Sequence, residues 1–182
     1  MSAFEDFEQV LAAAKQGADW AWAAIYDEFA PGLLRFITSQ GAAEPSACLG
    51  ECFVQVVRNL PKFAGDEAAF RAWLFLLARN RVVDEWRAAR RRPSTPSDDV
   101  AQFHEAGHHA VAADATIGES ESAEQILARL NPDQRAVITL RVLDGFSVEE
   151  TATILGKSAG SVRVIQHRAI KQLKNALAPR DE

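Results

Sequence analysis

The sequence predicts an all-α protein of two small helical domains, and three observations carry that prediction. Apolar residues recur at three- and four-residue spacing through nearly every segment, the period of a helix with one buried face. No segment alternates as a half-buried strand does, and no Asn-Gly or Asp-Gly turn joins two alternating runs. The stretch Pro93-Ser94-Thr95-Pro96-Ser97-Asp98-Asp99 breaks the pattern and divides the chain. The 182 residues allow one ordinary domain or two small ones, at roughly 150 residues per domain. With 48% hydrophobic and 25% charged residues, a wholly disordered chain is excluded, because the apolar content suffices for a core.

The elements follow in order. Phe4, Phe7, Val10, Leu11 and Ala14 mark an amphipathic helix that ends at Gly17. Asp19 is expected to cap a second helix, which runs from Trp20 towards Gly41 with a bend at Pro31. A third spans about Ser46 to Leu60, with Phe53, Val56, Val57 and Leu60 on its buried face and Pro61 as its stop. After the loop Lys62-Phe63-Ala64-Gly65-Asp66, a long helix covers about Glu67 to Arg91. Its apolar stripe is Phe70, Trp73, Leu74, Leu77 and Ala78, continued by Val82 and Trp86. These four helices read as a small bundle over residues 1–92.

Residues 93–120, rich in Ala, Ser, Gly, His and acids, read as a flexible acidic linker. A second domain, residues 121–182, opens with a helix from about Ser122 to Leu130. Asn131 then caps a helix over Pro132–Leu143, with proline at its first position, and Gly145 ends it. Ser147 caps the next helix and Glu150 completes a capping box. Leu155-Gly156 closes it, and a last helix runs from about Ser158 to Leu177.

Charge is distributed unevenly behind a net value of -5. Residues 79–92 hold six arginines against two acids, residues 93–125 hold seven acids and no Lys or Arg, and residues 157–180 hold six basic residues and no acid. Two basic blocks around an acidic one point to a polyanionic partner. No run approaches the roughly 20 apolar residues of a membrane span, so no membrane insertion is expected. The acids Glu5 and Asp6 occupy the place of a signal peptide's basic region. The expected location is cytoplasmic.

The segment Phe146–Arg163 is the strongest local pattern. It reads as a short helix, a glycine-containing turn and a second helix, which a helix-turn-helix requires. Val148, Ala152, Leu155 and Val162 are spaced to form its core. The second helix and its approach offer Lys157, Ser161, Arg163, Gln166, His167, Arg168 and Lys171 to DNA. Long polar side chains reach base edges in the major groove, while Ser and helix N-terminal amides hold phosphates.

The chain resembles the extracytoplasmic-function sigma factors of bacterial RNA polymerase. Two segments carry the resemblance: Phe63–Arg87 with the arginine run after it, and the helix-turn-helix continued by Val162–Leu173. The resemblance implies that the first reads and melts the minus-ten promoter element and the second reads the minus-thirty-five element. It implies that Phe63, Asp66 and Asn80 frame a pocket for an extruded base, and that Arg79, Arg87, Arg90 and Arg91 contact phosphates or upstream bases. Such roles suit aromatic, amide and guanidinium groups, which stack on bases and hold their edges. It implies no cofactor and no catalysis. The implied partners are promoter DNA, the clamp and flap of the polymerase core, and an anti-sigma factor. Glu51, Phe53 and Gln55 are the expected polymerase contacts. Here the chain departs from the family, since Pro45-Ser46-Ala47-Cys48-Leu49-Gly50 stands where an acidic pair and a glutamine are usual.

Two other readings compete. A stand-alone helix-turn-helix regulator would bind an operator unaided. A zinc-dependent hydrolase is suggested by His104-Glu105-x-x-His108, the pattern in which two histidines share a helix face beside a general base. Gly107 interrupts that helix, and a linker of this size cannot build a third ligand and a cleft. No metal is therefore expected, although Cys48 and Cys52 could join His104 and His108 in a tetrahedral site. The cysteines read more simply as small buried hydrophobes that do not form a disulfide, being four apart on one helix.

Overall fold

The computed structural model describes Phe4 and residues 6–91 and 123–177. The expected linker over residues 93–120, with His104 and His108, lies outside the described residues. All regular elements described are helical.

The first unit contains four helices. Helix α1 (Phe7–Lys15) is capped by Asp6, whose carboxylate accepts from the Gln9 N–H at 3.0 Å. Helix α2 (Asp19–Ser39) begins differently from expectation: Ala18 occupies the cap position without a side-chain bond, and Asp19 is the first helical residue. There its charge complements the positive end of the helix dipole. Pro31 sits inside this helix without ending it. Helix α3 (Pro45–Asn59) starts on a proline, which forfeits only an amide that has no intrahelical partner. A 3-10 turn (Leu60–Lys62) absorbs Pro61. Helix α4 (Glu67–Arg91) then runs for 25 residues.

The second unit comprises α5 (Ala123–Ala128), α6 (Pro132–Ile138), α7 (Val148–Leu155) and α8 (Ala159–Leu177). Between α6 and α7 the chain widens into a π-helical turn, Thr139–Leu143, where the sequence predicts continued α-helix. Arg135 ties this unit together by donating to the carbonyls of Leu127 and Leu130 at 3.1 Å each. Its third donor reaches the carbonyl of Ser39 in the first unit at 3.2 Å.

The core differs from the sequence reading on α3. Its buried face is Cys48, Leu49, Cys52 and Val56, followed by Leu60; Val57 is exposed, and Phe53 is half-buried on the edge. Both cysteines are buried free thiols. On α4 the stripe follows expectation through Phe70, Leu74, Ala78 and Val82, with Phe75 buried as well.

The two units share one hydrophobic core. Ile25, Leu33, Phe36, Phe70 and Phe75 of the first unit belong to the same buried cluster as Leu140, Phe146 and Ile154 of the second. Phe146 is 1% exposed, and its ring meets Phe75 edge-on with centroids 4.8 Å apart. The guanidinium of Arg71 lies 4.2 Å above the Phe146 ring. Gly32 stands where the units meet: a side chain there would press towards Phe75 and the Asp144 carboxylate, at 3.5 and 3.6 Å from its Cβ. This packing brings α4 against α7 and α2 against α6.

Candidate nucleic-acid interface

The helix-turn-helix is built from local chemistry. Ser147 Oγ accepts from the Glu150 N–H at 3.1 Å, and Glu150 accepts from the Ser147 N–H at 2.7 Å, satisfying two amides that α7 leaves open. Gly156 ends α7 in the left-handed region (φ +60), which favours glycine. Ser158 then caps α8, its hydroxyl accepting from the Ser161 N–H at 3.1 Å. Ala152, Leu155 and Val162 are buried as expected, with Val148 half-buried beside them. Ile154 is fully buried too.

Helix α8 presents Ser161, Arg163, His167, Arg168 and Lys171 to solvent. Arg163 pairs with Glu149 of α7 at 3.0 Å, and Lys157 pairs with Asp133 of α6 at 2.9 Å. Among the described residues no carboxylate pairs with Arg168 or Lys171. Gln166 is placed otherwise than the remaining residues expected to read DNA. It is half-buried, and its Oε1 accepts from Arg141 Nε at 3.2 Å, while Arg141 also donates to the Phe146 carbonyl. Arg141 therefore anchors α8 to the turn before α7.

On the first unit, Asn80, Arg87, Arg90 and Arg91 are exposed and Arg79 is half-buried. Arg79 lines a crevice between the units with Gln40, Val83, Trp86, Asp133 and Lys157. The 63–66 loop is held tightly. Phe63 stacks on Trp73 (5.1 Å, 26°) and meets Phe70 edge-on at 5.3 Å. Its carbonyl accepts from Lys15 Nζ at 2.8 Å. Asp66 caps α4 by accepting from the Ala69 N–H at 2.8 Å. A side chain at Gly65 would crowd the loop, since its Cβ would stand 3.0 Å from both Ala69 and Phe63. Sequence reasoning missed Lys15, a distant residue that no local pattern links to this loop.

Of the expected polymerase contacts, Glu51 is exposed and ion-paired with Arg81, Gln55 is exposed, and Phe53 packs on Tyr26 at 4.8 Å. Around them Tyr26, Val54 and Val57 leave an apolar surface uncovered on α2 and α3. The side chains of Cys48 and Cys52 hydrogen-bond each other beneath this face, which lowers the Cys48 thiol and raises the Cys52 thiol, burial adding to the rise. Among the described residues no group of three or more metal-binding side chains converges, and no helix is long and apolar enough to cross a membrane.

Comparison with known proteins assigns both segments to one family. Residues 25–92 match the family model "Sigma-70 region 2", and residues 120–173 match "Sigma-70, region 4". The chain is 30% identical over 174 residues to the ECF RNA polymerase sigma factor BldN of Streptomyces coelicolor, covering 93% of this chain and 65% of BldN. It thus spans about two thirds of that relative's length. It is 30% identical over 183 residues to SigD of Mycobacterium tuberculosis, covering 95% of this chain and 84% of SigD. The structure of the sigma factor RpoE of Bartonella quintana, in complex with the anti-sigma factor NepR, shares the fold. Its TM-score is 0.65 at 20% identity, over 88% of this chain and 98% of that one. The chain belongs to the ECF RNA polymerase sigma factor family.

Proposed function

We propose that this chain is a promoter-specificity subunit of bacterial RNA polymerase, acting in the cytoplasm without catalysis of its own. The observation that carries the reading is α8: a capped helix with an acid-free sequence, in which Arg168 and Lys171 have no acidic partner among the described residues. Cations free of internal pairing are available to displace counterions from DNA phosphates. Residues 121–182 anchor the upstream element through this helix. Residues 1–92 open and hold the downstream element through the Phe63–Asp66 loop, Asn80 and the arginines of α4, with residues 93–120 spanning between them.

The apolar surface of Tyr26, Phe53, Val54 and Val57, with Glu51 and Gln55 at its rim, is the proposed polymerase contact. It offers an exposed apolar patch on a helix that lacks the family's usual acidic pair. An anti-sigma partner is part of this reading, supported by the complex in which the similar RpoE is found.

Run-off transcription with bacterial core polymerase, with and without this chain, tests the proposal on a promoter pool from the source genome. Discrete transcripts that require the chain are expected. Absence of transcripts, together with no co-elution with core polymerase, overturns it in favour of a stand-alone regulator.

A further inference from the structure

Val164 is 49% exposed on α8, an apolar side chain amid polar ones. At helical spacing it shares one face with Gly160, His167, Arg168 and Lys171, at offsets of four, three, four and seven residues. Arg163 lies immediately beside it. Among the described residues nothing covers Val164, although its neighbours Val162 and Ala169 are fully buried on the opposite side.

Gly160 adds a second observation. A side chain there would meet only Ser158 Oγ, at 4.0 Å, and the backbone is not left-handed. Neither packing nor conformation therefore requires glycine, which is a poor choice inside a helix. Its effect is to leave the first turn of α8 bare one helical turn before Val164. The face consists of a bare first turn at Gly160, an exposed apolar side chain at Val164, and the exposed cations Arg168 and Lys171 beyond it.

We propose that Val164 is a specificity-determining residue that contacts the C5-methyl group of one thymine in the upstream promoter element. The inference rests on the reading of α8 as the recognition helix. The thymine methyl is the apolar group that base edges present in the major groove, and it distinguishes thymine from every other base there. Close approach at Gly160 brings the short valine within reach, while Arg168 and Lys171 position the duplex without reading its sequence.

Deoxyuridine tests this by removing the methyl group and nothing else. The upstream element is first selected with the holoenzyme of core polymerase and this chain. Each thymine is then replaced singly by deoxyuridine, and holoenzyme affinity is measured for wild type, Val164→Ala and Arg168→Ala. Alanine is a stronger helix former than valine, so the exposed substitution preserves α8. At one position wild type should lose about three- to fivefold in affinity, the scale of one buried methyl contact. Val164→Ala should lose the same on the thymine duplex and should no longer distinguish thymine from uracil. The proposal is overturned if no position responds, or if Val164→Ala responds to uracil as wild type does. Arg168→Ala should weaken binding to both duplexes alike. If it weakens neither, the recognition-helix reading itself fails and this proposal with it.

Discussion

Arg35 on α2 and Asp144, 109 positions later in the chain, form an ion pair at the seam between the two helical units. The Asp144 side chain is almost wholly buried at 2% exposure, while the Arg35 side chain remains 45% exposed. Arg71 donates to the Asp144 backbone carbonyl and covers the Phe146 ring. A charged residue and an aromatic two positions apart are thus clamped by arginines from two helices of the first unit.

Burial raises the Asp144 carboxyl above its ordinary value of 3.8, with Arg35 and Arg71 opposing the rise. Between 3.8 and the folded value the native state binds more protons than the unfolded chain. Stability contributed by this group therefore falls as pH rises through that window. Arg35→Ala should move the carboxyl further up, because it removes an opposing positive charge. Carboxyl-carbon NMR titration checks both statements; a midpoint below that of free aspartate contradicts them.

Phe146→Ala should destabilise the protein by about 3–5 kcal/mol, the range for emptying a large aromatic site in a packed core. Both the edge contact with Phe75 and the Arg71 stacking disappear with it. Urea denaturation gives the number. A loss below about 1 kcal/mol would mean that the two units do not share this core in solution.

Ser147→Ala should cost about 1 kcal/mol of stability, while Ser147→Gly should cost only a few tenths. Glycine leaves the open amides of the first turn accessible to water, whereas the alanine methyl shields them without supplying an acceptor in place of the Ser147 hydroxyl. Thermal melts of the two variants side by side distinguish a capping role from a general effect of losing the hydroxyl.

Glu149→Gln should tighten DNA binding at low salt by about two- to fivefold, the scale of an exposed ion pair. The substitution frees Arg163, which Glu149 holds at 3.0 Å, and removes a negative charge beside the duplex. Arg168→Ala should weaken binding and lower the salt slope by about one. Fluorescence anisotropy of the holoenzyme on a labelled promoter across a salt series reads both; equal slopes for Arg168→Ala and wild type contradict the phosphate contact.

The helices, the caps at Asn131 and Ser147 and the helix end at Gly156 were legible because each depends on residues within one or two turns. The face of α3 was legible only in part. Cys48, Cys52, Val56 and Leu60 are buried as read, but apolar residues lie on both sides of that helix, so periodicity offered Val57 as well, and only the neighbouring helices α2 and α4 left it exposed. Gln166 carries the same lesson at the interface: its spacing fits a base-reading residue, but Arg141, 25 positions away, holds its oxygen. The sequence by itself determined an all-helical chain with a helix-turn-helix and a basic outer helix, since these are local patterns of period, cap and charge. Tertiary structure alone decided that Phe146 completes a core begun by Phe36 and Phe75, and that Asp144 is buried against Arg35. Contacts between residues a hundred positions apart leave no periodic signal; they arise only when whole helix faces meet and exclude water together.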